Sequence, residues 1–118
     1  MCGHLVGINL GFSLKKVIHY DGYLARGNMD YIGYKVIVSG IVQAVGFRYF
    51  TCMEARLHHV MGHAKNLQCG DVEVVMYGPR EQIAKMLKWL ETGPQTARVT
   101  GITISEIPYQ KSNDFIAC

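Results

Sequence analysis

Three prolines and a single tryptophan occur in the 118 residues, and charged side chains make up only 18% of them. No apolar run reaches the ~20 residues that a membrane-crossing helix needs, so no membrane partner is expected. The opening Met1-Cys2-Gly3-His4 lacks the basic flank of a secretory signal. Cys2, Cys52, Cys69 and Cys118 form no Cys-x-x-Cys pair and are too scattered for a zinc site. They read as four free thiols in a reducing cytoplasm. Also missing is a basic stripe: the net charge is +3, and from residue 34 onward nine basic residues face seven acidic ones. That balance argues against nucleic acid, whereas a small anion needs only one well-placed arginine.

What is present is one domain's worth of alternating strand and helix signals. Val36, Ile37 and Val38 form a nearly continuous apolar run within 34–39, expected as a central strand buried on both faces. Phe47, Phe50, Cys52, Met53, Leu57 and Val60 recur at helical spacing, which predicts a helix over 47–60 with Gly62 as its left-handed cap. His63 to Leu67 and Val72 to Met76 read as an antiparallel hairpin turning at Gln68-Cys69-Gly70. Gly78-Pro79 opens a second helix whose inner stripe is Ile83, Met86, Leu87 and Leu90, and Gly93-Pro94 ends it. Arg98 to Ile107 supplies a fourth strand, and Asp114 to Ala117 a short edge strand. This order is the split βαβ, ferredoxin-like α+β sandwich: an antiparallel sheet with two helices on one face. Before it, residues 1–33 read as an N-terminal extension. Val6, Ile8, Leu10, Phe12 and Leu14 alternate with small residues there, and the catalytic domain is expected to start near Met29.

The densest chemical signal is Val38-Ser39-Gly40-Ile41-Val42-Gln43-Ala44-Val45-Gly46-Phe47-Arg48. A β-branched strand passes through small residues into a helix carrying an arginine. Free amide hydrogens at a helix N-terminus carry about half a positive charge, and a guanidinium adds forked donors that match phosphoryl oxygens. The run therefore reads as an anion seat. It also resembles the acylphosphatase pattern Val-x-Gly-x-Val-Gln-Gly-Val-x-Phe-Arg, with Ala44 in place of the family glycine. A second family stretch follows as Gly62-His63-Ala64-Lys65-Asn66, then Gly70-Asp71-Val72 and Gly78, with His63 in an aromatic slot. The resemblance covers residues 34–118.

The resemblance implies hydrolysis of the carboxyl–phosphate bond of acyl phosphates without a metal or other cofactor. Arg48 would grip the phosphoryl group and the loop Gln43, Ala44, Val45, Gly46, Phe47 would donate its amides. Asn66 would orient the attacking water, and the proton would pass to the substrate's own phosphate oxygen. Inorganic phosphate would be product and competitive inhibitor, and the protein a monomer. The alternative is a catalytically weakened phosphate-binding module, which the departures at Ala44 and His63 allow. Alanine is harmless at position 44 unless φ there is positive, where it is strained. Elsewhere, His58 and His59 read as helix-end residues rather than a metal pair, Lys65 as an outward strand residue, and Cys52 and Trp89 as packing.

Overall fold

Burial along the chain alternates with a period of two in the strands and follows one stripe in each helix, which fixes a single helix-covered face of one sheet. The computed structural model describes residues 30–118; the alternating pattern of residues 6–14 and the expected start near Met29 lie outside the described residues. Strand β1 spans Tyr31–Ile41, followed by α1 (Phe47–Leu57), β2 (Met61–Asn66), β3 (Val72–Pro79), α2 (Arg80–Thr92), β4 (Arg98–Ile107) and β5 (Phe115–Ala117). The strands lie in the order β4-β1-β3-β2-β5. Neighbours are antiparallel except β5, which runs parallel to β2 with Ala64 opposite Ala117. The sheet is therefore mixed, and the ferredoxin-like βαββαβ sandwich stands with one added edge strand. β1 starts at Tyr31, ahead of the boundary expected at residue 34.

β1 is central but not buried on both faces as its composition suggests. Ile32, Tyr34, Val36 and Val38 are buried against the helices, while Lys35 on the opposite face is exposed. Val72, Val74 and Met76 of β3 and Ala64 of β2 join the same core. From α2 come Ile83, Met86, Leu87 and Leu90, all fully buried, in the stripe that their spacing predicts.

Helix α1 departs from its expected face. Phe50, Met53 and Leu57 are 39%, 51% and 67% exposed, whereas Phe47, Thr51, Cys52 and Ala55 are buried. Small side chains on the inner face let the helix lie close to the sheet. The Cys52 thiol donates to the Phe115 carbonyl at 3.2 Å, and Arg56 donates to the same oxygen at 3.0 Å. These bonds set the rotation of α1 over β5 and turn the larger apolar residues outward. The helix also ends earlier than expected, at Leu57, with His59 in the left-handed region at φ 59°. Gly62 is thus no helix cap. It lies within β2 at φ +136°, where an added Cβ would stand 1.9 Å from the Val75 carbonyl oxygen of the neighbouring strand.

The expectation of four free thiols fails at Cys69, which is disulfide-bonded and lies exposed in the hairpin turn; Cys2 lies outside the described residues. Cys52 and Cys118 are free. No helix among the described residues is long and apolar enough to cross a membrane.

The strand contact at Gly62 yields a stability prediction. Gly62→Ala has to push β2 away from β3 and should lower the unfolding free energy by about 3 kcal/mol or more. Gly70→Ala, which also has positive φ but meets nothing within 4 Å, should lose only about 1 kcal/mol. Urea unfolding of both variants checks this, and equal losses would contradict it.

Candidate active site

The loop between β1 and α1 is held by contacts on both sides. On one side the Gln43 side chain reaches the β2–β3 hairpin, where its Nε2 donates to the carbonyls of Leu67 at 2.7 Å and Asp71 at 2.9 Å. Those two carbonyls also close the hairpin itself, through Gly70 N–H to Leu67 O and Leu67 N–H to Asp71 O. On the other side, the Thr96 hydroxyl of the α2–β4 turn donates to the Val45 carbonyl at 2.7 Å. Phe47, the first residue of α1, drops its buried ring beside Trp89 with centroids 6.2 Å apart.

Between these contacts the backbone turns tightly. Ala44 adopts φ 64° and Gly46 φ 81° with ψ 10°. Left-handed residues alternating with ordinary ones aim successive N–H groups toward a common centre, a concavity suited to anions. Among the described residues, none of the amides from Gln43 to Arg48 donates to a backbone carbonyl; the first to do so is Phe50, to Gly46 at 3.0 Å. α1 has no side-chain cap at Gly46 and no acidic residue in its first turn. The helix start is therefore an electropositive end unneutralised by the chain itself.

Asn66 stands at this end on β2, and Arg48, in the first turn of α1, reaches toward the residue that follows β5. The Arg48 guanidinium donates from Nη1 to the Cys118 carbonyl. Cys118 in turn donates its own N–H to the Ala64 carbonyl at 2.8 Å. The guanidinium is thereby stationed at the edge of β2, close to its C-terminal end. Asn66 is the last residue of β2, on the helix-facing side by its alternation with Gly62 and Ala64, and lies next to the Leu67 carbonyl that Gln43 holds. Its Oδ1 is buried and has no hydrogen-bond partner among the described residues. Such an atom is rare in a folded interior and calls for a ligand or water.

The structure thus brings Gln43, Ala44, Val45, Gly46, Phe47, Arg48 and Asn66 into one neighbourhood, and two of them commit their side chains elsewhere. Gln43 uses its side chain as a clamp on the hairpin, and Phe47 uses its ring as a core plug, which leaves only their backbones for an anion. His63 stands apart on the uncovered face of the sheet, with Nε2 3.9 Å from the Glu73 carboxylate. His58 pairs with Glu54 at 3.3 Å one helical turn away. Lys65 is exposed, in register with Glu73. Two participants carry no sequence signal: Thr96 and the Cys118 carbonyl lie 51 and 70 positions from their partners and meet them only through the tertiary fold. An apolar groove of about 470 Å³, lined by Phe50, Met53, Trp89, Pro94 and Thr96 among others, runs between α1 and the α2–β4 turn.

The positive φ at Ala44 makes a prediction. A methyl group in left-handed space costs about 1–2 kcal/mol, partly offset by the greater freedom glycine has in the unfolded chain. Ala44→Gly should therefore raise the unfolding free energy by about 0.5–1 kcal/mol and strengthen phosphate binding, as measured by chemical denaturation and by calorimetric titration with inorganic phosphate. A loss of stability would contradict the strained backbone.

Comparison with known proteins matches the chain from within β1 to the end of β5. The family model described as Acylphosphatase matches residues 34–117. A curated acylphosphatase from Psychromonas ingrahamii is 91% identical over 90 residues, covering 76% of this chain and all of that protein. Among solved structures, an acylphosphatase from Coxiella burnetii superimposes with a TM-score of 0.73 at 34% identity, covering 80% of this chain and 99% of that one. The acylphosphatase from Bacillus subtilis superimposes with a TM-score of 0.71 at 33% identity, covering 74% and 98%. With its two motifs in place and a relative of this identity matched along its full length, the chain belongs to the acylphosphatase family.

Proposed function

We propose that the chain hydrolyses the carboxyl–phosphate bond of acyl phosphates, giving a carboxylate and inorganic phosphate, with Arg48 and Asn66 dividing the work. An acyl phosphate is a mixed anhydride with a good leaving group, so the reaction needs placement and charge stabilisation more than covalent help. Negative charge spreads over three equatorial phosphoryl oxygens as the bond breaks. The amides of the Gln43–Phe47 loop, already turned inward, meet that charge without reorganising. Arg48 supplies the full positive charge. To do so it exchanges the Cys118 oxygen for phosphoryl oxygens, whose geometry its forked donors match two at a time.

The single observation that carries the reading is the buried Oδ1 of Asn66, which has no hydrogen-bond partner among the described residues. A carboxamide both accepts and donates, so Oδ1 can take a hydrogen bond from a water and hold its lone pair toward phosphorus. In-line placement of that kind converts bulk water into a local nucleophile. The proton passes to a phosphoryl oxygen of the substrate, and the carboxylate leaves on the far side. Inorganic phosphate occupies the same seat as product and competes with substrate. The active unit is a monomer in the cytoplasm, and residues ahead of the domain form an extension outside the chemistry.

Two variants separate the roles. Arg48→Gln should lose turnover by about a hundredfold or more together with inhibition by phosphate. Asn66→Ala should lose comparable kcat while its phosphate inhibition constant stays within about threefold of wild type. Steady-state kinetics on a synthetic acyl phosphate, with phosphate as inhibitor, reads both. Equal loss of phosphate binding in the two variants would refute the division.

A further inference from the structure

The hydrogen bond between the Thr96 hydroxyl and the Val45 carbonyl does more than join two turns. In a trans peptide the carbonyl and the N–H of the same unit point in opposite directions, and no cis bond occurs among the described residues. Holding the Val45 carbonyl toward Thr96 at 2.7 Å therefore directs the Gly46 N–H to the opposite side of the loop, away from the α2–β4 turn.

This peptide is the one most open to reversal. Flipping it changes ψ of Val45 and φ of Gly46, and glycine accepts either sign of φ at little steric cost. The φ of 81° at Gly46 is therefore a choice that its own backbone does not enforce. A flipped peptide would present a carbonyl oxygen where an amide hydrogen had been, turning an attraction for a dianion into repulsion. Gln43 and Phe47 fix the two ends of the loop. Thr96 is the side chain that bonds to its middle.

We propose that Thr96 is a positioning residue of the anion seat, whose hydroxyl keeps the Val45–Gly46 peptide turned so that the Gly46 N–H faces the phosphoryl group. The inference rests on the reading of this loop as the phosphate seat. Because Thr96 is exposed, removing its hydroxyl takes away a bond and little packing, and the effect falls on the ligand rather than on the fold.

The test uses the full chain with Thr96→Val and Thr96→Ser, together with Arg48→Gln as a control on the seat itself. Thr96→Val should raise KM and the phosphate inhibition constant about fivefold, the size expected for one neutral hydrogen bond. Thr96→Ser, which keeps the hydroxyl, should stay within about twofold of wild type by the same reasoning. The displacement of the Gly46 amide resonance on adding inorganic phosphate should shrink in the valine variant and persist in the serine one. Phosphate affinity and Gly46 response unchanged in Thr96→Val, with phosphate binding lost in Arg48→Gln, would overturn the role of Thr96 and leave the seat standing. A serine variant as weak as the valine one would overturn it too. Undiminished phosphate binding in Arg48→Gln would instead remove the seat, and this proposal with it.

Discussion

A run of backbone amides that meet no backbone carbonyl among the described residues, at the start of a helix with no side-chain cap, is the constraint on which the remaining structure depends. Backbone N–H groups seek acceptors, and a loop free to relax would turn these toward its own carbonyls. The fold prevents that by gripping the loop from both flanks. Gln43 is committed to the β2–β3 hairpin, Thr96 to the Val45 carbonyl, and the Phe47 ring to the core beside Trp89. The left-handed residues Ala44 and Gly46 bend the chain between these contacts. On the proposed reading, an anion entering the loop would satisfy donors already oriented by these contacts, with little reorganisation between binding and chemistry.

The arginine and the carboxamide depend on the sheet in the same way. β5 pairs with β2 in parallel and so ends beside it, which brings the Cys118 carbonyl within reach of Arg48. The small inner residues of α1 let the helix settle low enough for Cys52 and Arg56 to bond to β5, and that fixes the direction in which Arg48 leaves the helix. Asn66 holds its position because the hairpin register pairs it with Val72, and Gln43 ties the adjoining Leu67 carbonyl to the loop. One short edge strand and one hairpin thus place both polar groups, and neither contributes a charged side chain to the seat.

Much of this was legible in the sequence, and the exceptions have physical causes. Element order, the inner stripe of α2 and the span of β4 follow from periodicity and from glycine–proline punctuation, which are local signals. The two motifs supply the residues of the proposed site by type and spacing. Periodicity failed for α1 because its outward face is as apolar as its inward one. Hydrophobicity could not tell Phe50, Met53 and Leu57 from Phe47, and closeness to the sheet decided in favour of small residues. Gly62 was misread as a helix cap because a glycine needed for close strand approach looks the same in sequence as one needed for a turn. The contacts of Gln43, Thr96 and Cys118 span 24 to 70 positions, and no local pattern encodes them. The uncovered face of the β1 strand was likewise hidden, because a central position in a sheet does not by itself determine how many layers cover it.

On the proposed reading, the loop is a receptor for a tetrahedral dianion before any substrate arrives. A crystal structure of the full chain grown or soaked in inorganic phosphate tests that directly. The expected result is a phosphate within hydrogen-bond distance of several amides between Gln43 and Arg48, with the Arg48 guanidinium turned from the Cys118 carbonyl onto its oxygens and a water held by Asn66. A loop that stays empty at saturating phosphate, or an anion bound with Arg48 still on the Cys118 carbonyl, would contradict it.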